Sequence, residues 1–490
     1  MMSKIGGESR LLAKHSVIYG LGNFLNRAAA FLLLPIYTRF LTPTEYGIKE
    51  LVGLSTEVAA VAISSSFVSA IYRFYFEYES KKDRNEVLST AIIAVGLIGL
   101  AGVGILSLMT KTMASYILDS PNLYYYFILS FCSLWFQSLN EIGNGYLRLE
   151  KKSLKYIMFS TGKLVLMIML NIYFVAILRI GILGVFISTL LASACLSLVL
   201  IVPIIFRIGF SVSLNKLKEM VRFGLPLIPS QLGGLVVRLS DRFFIKGFCS
   251  IGDAGIYSLS YRFGTLPSHF ISAPFNQIWL PRRFEIYKEE GSEELFGRIF
   301  TYFLAFLIFA GLAVSVLTKE VIQIMADKSF WSAWQIVPII VLADVIFSLH
   351  YHLNMGILIE KKTKYLAFIN VSNGILVLLL NFILIRQYGV YGAAIVTLIA
   401  YVYKVGLTYY FSSRYYKIHF EFFRIAKLIL CAALLYGVCT MVAIESVYLS
   451  FVLKFGIICL FPGLLLIAGF FSAGEKRKAI QMMGKLVPGI

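Results

Sequence analysis

Long apolar runs separated by short polar segments recur along the whole chain. Fourteen reach the roughly 20 residues a helix needs to cross hydrocarbon, at about 16–38, 48–72, 88–109, 123–147, 156–178, 182–206, 223–245, 254–280, 296–317, 334–358, 365–385, 390–411, 425–444 and 447–471. The pattern predicts an all-α integral membrane protein of about 14 transmembrane helices, with little chain left for a soluble domain.

One unit of this pattern is written twice. "GYLRLEKKSLKY" (145–156) returns as "GILIEKKTKY" (356–365), each closing a long apolar run. "LNIYFVAILRIGILG" (170–184) returns as "LNFILIRQYGVYG" (380–392), pairing Asn171 with Asn381 and Gly181 with Gly389. A weaker match sets "RFLTPTEYGIKEL" (39–51) against "GFCSIGDAGIYSL" (247–259), pairing Glu45 with Asp253 and Gly47 with Gly255. Three matches in one order argue for duplication of a six-span unit, so that 1–210 (spans 1–6) and 211–420 (spans 7–12) form two homologous lobes. Spans 13 and 14, with a basic tail, make an unpaired addition at 421–490. Six is even, so both copies enter the membrane in the same sense, and two such parallel lobes are expected to hold a site between them near the midplane.

Polar residues inside the spans mark where that site should lie, because a charge at a membrane helix centre needs a cavity or a partner. In span 1, Ser16, Gly20, Asn23 and Arg27 share one helical face, with Asn26 beside them. Span 2 carries Glu50, Glu57 and Ser64 at seven-residue intervals. Span 8 carries Gly255, Ser258, Arg262, Thr265, His269, Ser272 and Asn276 in steps of three and four. Span 7 begins with Pro226 and Pro229 and continues to Arg238, Asp241 and Arg242. Span 4 (Gln137, Asn140, Glu141, Asn144) and span 10 (Asp344, Ser348, His350, His352) give support, and span 5 adds Lys163.

A hydrophilic cavity is therefore expected, with Arg27, Arg238, Arg242, Arg262, Lys163, Asn23 and Asn26 binding an anionic cargo. Guanidinium groups suit bidentate contact with phosphate. The plainer alternative is internal salt bridges, for example Arg27 with Glu57 or Arg238 with Asp241. Glu57, Glu141 and Asp241 are candidates for carrying a coupling ion or for serving as counter-ions to the arginines. The three histidines of spans 8 and 10 read as packing residues, since no HExxH or Cys/His cluster accompanies them.

Composition agrees with this picture: 59% of residues are hydrophobic and 14% charged, and mean hydropathy is +0.80. The net charge of +19 would suggest nucleic acid if the basic residues were not placed by topology. Most of the 45 Lys and Arg fall on the N-terminus, the even-numbered loops and the C-terminal tail, which puts both termini in the cytoplasm by the positive-inside bias. Lys151, Lys152, Lys361 and Lys362 of the repeated loops belong to this set. The six cysteines lack the spacing of a metal site or a disulfide framework. The first span is itself the expected insertion signal. Without a GxxxxGK[ST] loop in the chain, transport energy must come from a proton or sodium gradient, the membrane potential or the cargo's own gradient. No cofactor is expected.

The block "SVIYGLGNFLNRAAAFLLLPIYTRFLTPTEYGIKEL" (16–51) resembles the N-terminal signature of Wzx-type oligosaccharide flippases. These belong to the multidrug/oligosaccharidyl-lipid/polysaccharide (MOP) exporter superfamily. The Gly-x-x-Gly entries at Gly181 and Gly389 and the 12 plus 2 span count extend the resemblance. It implies a MATE-like fold and no enzymatic reaction. The implied activity is alternating-access transfer of an undecaprenyl-pyrophosphate-linked oligosaccharide across a bacterial inner membrane, for O-antigen, capsule or exopolysaccharide assembly. The headgroup would cross in the cationic cavity while the polyprenyl tail stays in lipid, with spans 13 and 14 offered as its guide. Membrane lipids and a polysaccharide polymerase with its chain-length machinery are the implied partners, and nucleic acid is not. Rival readings are a drug or cation exporter of the same superfamily, disfavoured by the arginines, and a flippase for a peptidoglycan or teichoic-acid precursor. A membrane glycosyltransferase would need a larger extramembrane loop than this chain offers.

Overall fold

The computed structural model describes residues 31–61, 63, 66–442, 444–472 and 474–475. It comprises two compact units that cut across the repeat. The first takes the described residues up to Ser258 together with Met325–Phe330 and Leu378–Ala393; the second takes Leu259–Ile324, Trp331–Val377 and the described residues from Ala394.

In the first unit α1 (Leu34–Phe40), α2 (Pro43–Ala60), α3 (Ser66–Glu77), α4 (Lys81–Leu118), α5 (Tyr124–Leu149), α6 (Ser153–Asn171), α7 (Ile182–Ile208), α8 (Leu214–Gly224) and α9 (Leu227–Phe248) follow in order. Its core gathers Phe67 and Ile71 from α3, Leu88 and Val95 from α4, Ile142 from α5, Leu200 and Ile204 from α7, and Met220 from α8. The amphipathic α8 is tied down by Lys216, which donates to Asp83 at 2.9 Å and Glu86 at 2.6 Å.

The helix α10 (Ile251–Gly264) leads into the second unit, which continues through α11 (Ala273–Ile286), α12 (Ser292–Met325), α13 (Val337–Leu353), α14 (Met355–Ile359), α15 (Lys364–Leu380), α16 (Arg386–Ser412), α17 (Phe422–Met441), α18 (Val447–Cys459) and α19 (Phe461–Ile467). The appended hairpin packs on α12 through Leu312, Val316, Leu428, Leu435, Ile458 and Phe461. The entry to α17 is clamped by Arg424, which pairs with Glu421 at 2.8 Å and with Glu475 at 3.2 Å.

Burial raises the Glu475 carboxyl, but hydrogen bonds from Tyr302 and from the Ser472 amide and hydroxyl, with the Arg424 charge, outweigh it and hold the group at about 2. A depressed carboxyl stabilises the folded form above its unfolded value and loses that contribution as pH falls. Residues 468–472, with Glu475, should therefore stay docked at pH 6 and loosen as pH falls below about 4.5 toward 2. Hydrogen exchange across that window checks this, and an unchanged rate in wild type would refute it.

Among the described residues, eight helical stretches are long and apolar enough to cross a membrane. They cover nine of the fourteen expected runs, because 365–385 and 390–411 join as one stretch kinked at Gly389. The run 16–38 lies mostly outside the described residues. The other four are helical but too polar or too interrupted to qualify. Run 48–72 is divided between α2 and α3, and 254–280 passes from α10 through a π-helical turn at Ser268–Ser272 into α11. Run 223–245 has Pro226 as the N-cap of α9, and 123–147 is α5 with its polar row. The runs that miss the apolar criterion are those picked out for their polar faces, so a count of fourteen does not follow from apolarity alone.

The three sequence matches fold alike. Thr42 caps α2, accepting from the Glu45 amide at 3.2 Å while Glu45 accepts from the Thr42 amide at 2.9 Å. Ser250 caps α10, accepting from the Asp253 amide at 3.0 Å and donating to its carboxylate at 2.6 Å. In the basic loops Lys151 and Lys361 take left-handed φ values of 56° and 54°. The next amide of each, Lys152 or Lys362, reaches back to Leu147 or Ile357 at 2.8 and 2.9 Å, the six-to-one bond of a Schellman ending. Asn171 and Asn381 are buried where π-helical turns begin, at Ile172–Ile177 and Asn381–Ile385. Each turn is followed by a glycine with positive φ, 62° at Gly181 and 55° at Gly389.

Candidate functional site

In the first unit α2 and α9 lie against each other through Leu54, Val61, Ile228, Leu232, Leu235 and Leu239. This apolar seam places Glu57 beside Arg238, and the two form an ion pair. Their side chains remain 43% and 53% exposed, so the pair faces open space, where an incoming anion can compete for the guanidinium.

One turn further along α9 the chemistry changes. Arg242 donates to both oxygens of Asp241 at 2.7 and 2.8 Å, and the Tyr257 hydroxyl donates to the same carboxylate at 2.9 Å. The Arg242 guanidinium also lies 5.0 Å over the Tyr257 ring, and both charged side chains are buried. Of the two salt bridges the sequence suggested, Arg27 with Glu57 falls on a residue outside the described ones, and Arg238 with Asp241 is replaced by Arg238–Glu57 and Arg242–Asp241. The buried pair anchors α9 to α10, while the exposed pair presents charge.

Glu141 on α5 lies within electrostatic reach of Arg148 and of Lys163 on α6. Glu141 is exposed and Lys163 half-buried. Asn23, Asn26 and Arg27 lie outside the described residues. Arg262, near the end of α10, belongs to the second unit.

The second unit holds a carboxylate of a different kind. Asp344 on α13 is 4% exposed and accepts the Ser268 amide at 2.9 Å, at the start of the π-helical turn. Among the described residues no lysine or arginine pairs with it. Gly264 packs on Ile340 at the same sequence offset as Ser268 on Asp344, so the two helices run parallel and in register. One turn on, that register sets Ser272 opposite Ser348, and both hydroxyls are buried without hydrogen-bond partners.

The sequence placed Asp344 only among supporting cavity residues. Its lack of a counter-ion is a fact of packing, whereas Glu57, Glu141 and Asp241 each have a cation close by. The histidines pack: His352 stacks on Trp279 at 5.2 Å and bonds the Phe296 carbonyl at 3.1 Å, and His350 bonds Thr408 at 3.0 Å.

A family model described as "Polysaccharide biosynthesis protein" matches residues 36–335. The chain belongs to that family. The probable low-salt glycan biosynthesis flippase Agl15 of Haloferax volcanii is 21% identical over 250 residues, which are 49% of this chain and 52% of that protein. The chain thus spans about half the length of the curated relative it matches. Among solved structures, the lipid II flippase MurJ in an inward closed conformation superposes with a TM-score of 0.76 at 14% identity, over 93% of this chain and 100% of that one. A multidrug resistance MATE family transporter of the MOP superfamily, inward-facing, gives 0.62 at 16% identity over 79% and 94%. This member of the polysaccharide biosynthesis protein family is a multi-pass membrane protein, and its fold is similar to those of the MurJ and MATE structures.

Proposed function

We propose that the chain flips a lipid-linked glycan, namely an undecaprenyl-pyrophosphate-linked oligosaccharide repeat unit, across a bacterial inner membrane for surface polysaccharide assembly, with both termini cytoplasmic. The exposed Arg238–Glu57 pair beside the α2–α9 seam is the observation that carries this reading. A guanidinium held in place by a weakly screened carboxylate is preorganised, and a pyrophosphate bearing two or more charges competes for it through bidentate contact. Arg262 and Lys163 extend the cationic surface in their own units, and Arg242 is reserved for holding α9. A polymerase and its chain-length machinery are the proposed downstream partners.

Coupling is assigned to Asp344. A buried carboxylate without a cation is costly to keep charged, so its site favours uptake of a monovalent cation, either a proton or a sodium ion. The idle Ser272 and Ser348 hydroxyls supply further oxygens. Asp344→Asn is expected to abolish the dependence of flipping on an imposed ion gradient while leaving equilibration down the cargo's own gradient. Gradient dependence that survives in this variant would remove Asp344 from the coupling role.

The test of function is accumulation of the lipid-linked unit on the cytoplasmic face when the protein is depleted in cells lacking another flippase. Unchanged delivery would sink the proposal. Within a working flippase, Arg238→Ala should cut transport roughly 10- to 100-fold at normal membrane levels, the loss expected for one hydrogen bond to a charged group. Full complementation by both Arg238→Ala and Arg262→Ala would show that the cationic residues do not bind cargo.

A further inference from the structure

A second polar site lies away from the helices discussed so far, where the appended hairpin meets α12. Glu320 is buried there, and its Oε1 accepts from Ser450 at 2.8 Å and from Lys454 at 2.5 Å. Its Oε2 is buried without a partner. Above this floor opens a cavity of about 360 Å³ whose rim carries Lys319, Gln323 and Glu445, a size in the range that holds small ligands. Lys319 also lies 5.3 Å over the Trp334 ring.

The cavity is at the end of two membrane-spanning stretches, Ser292–Met325 and Val447–Ile467, the depth at which lipid headgroups lie. Beside it α17 and α18 present a bare apolar surface at Met441, Tyr448, Leu449 and Val452, with Tyr448 71% exposed.

We propose that this cavity binds the ammonium-phosphate headgroup of a zwitterionic membrane phospholipid whose acyl chains lie along the exposed face of α18. The charge pattern selects the headgroup. The floor pair, Glu320 with Lys454, is closed and neutral, and the rim offers one cation and one anion. A purely anionic headgroup would bring its charge against Glu445, and a purely cationic one against Lys319. A zwitterion satisfies both, with its phosphate on Lys319 and its ammonium on Glu445. A primary ammonium can donate to the Glu445 carboxylate, whereas a quaternary ammonium cannot. The site reads neither cargo nor coupling ion, so it stands whether or not the chain is a flippase.

The test is native mass spectrometry of the full-length purified protein with phosphatidylethanolamine, phosphatidylcholine or phosphatidylglycerol. Wild type should retain phosphatidylethanolamine about tenfold more than either other lipid, equivalent to one charge-assisted hydrogen bond. The rim variant Lys319→Gln/Glu445→Gln, which leaves the floor pair intact, should melt like wild type and lose the preference. Equal retention of all three lipids by wild type, or an unchanged preference in the folded rim variant, overturns the proposal.

Discussion

A leucine at Gly47 is expected to cut transport about 30-fold or more while leaving the protein at its normal level in the membrane. The reason is a reciprocal contact between the first turns of α2 and α10. A Cβ on Gly47 would run into the carbonyl of Ile251, and a Cβ on Gly255 would run into the carbonyl of Pro43. Pro43 and Ile251 are the first residues of their helices. Each glycine therefore receives the start of the other helix, the reciprocity a two-fold relation between duplicated copies produces.

No flexible side chain can give way at either point, because the obstacle is backbone. Overpacking of this kind typically costs 1–3 kcal/mol, and about 2 kcal/mol shifts a two-state equilibrium roughly 30-fold. If the chain works as the proposed flippase and closes this end in each cycle, the leucine would hold it open there. Gly53 lies on the same helix with no atom within 4 Å of the point a Cβ would occupy, and it supplies the control: Gly53→Ala should transport like wild type. Labelling of a cysteine placed at Thr44 should rise in Gly47→Leu. Wild-type flux with unchanged labelling would show that the contact is not part of the cycle.

The three repeated stretches were readable in the sequence because backbone geometry imposes its own spelling. A Schellman ending at Lys151 and Lys361, a left-handed glycine at Gly181 and Gly389, and a capping pair at Glu45 and Asp253 each restrict residue choice at one position, and a copy keeps the restriction. The polar faces were readable for a similar reason, since a helix that crosses lipid cannot carry Glu57 or Arg238 without somewhere to put them. Pairing was not readable. Spacing puts Arg238, Asp241 and Arg242 on neighbouring parts of one helix, but which of them reaches across to α2 depends on the seam formed by Leu235 and Leu239 with Val61. The same limit hid Asp344, whose distinction is the cation it lacks, and the break of run 254–280, where a π-helical turn follows Pro267.

The appended hairpin carries the largest stability effect expected in the molecule. Lys454 is a single charge in an otherwise apolar run, and Glu320 lies past the predicted end of span 9, so neither drew notice as a partner of the other. Together they are 9% and 3% exposed, and removing one member of a buried pair strands the other charge at a cost of about 3–5 kcal/mol. Glu320→Ala should therefore lower the stability of the α17–α18 hairpin by that order, seen as early melting and as new protease sensitivity around 442–446. Lys454 can recover part of the loss by extending toward the membrane surface, which makes the lower figure the safer expectation. Replacing both residues, Glu320→Met with Lys454→Met, removes the stranded charge and should return stability to within about 1 kcal/mol of wild type, because apolar substitutes for a buried pair are often neutral or better. If the single and double variants melt alike, the pair contributes nothing that packing on Leu312 and Val316 does not already supply. A double variant that is stable but transports poorly would instead assign the ion pair to function, since an apolar joint of equal strength would then have failed to replace it.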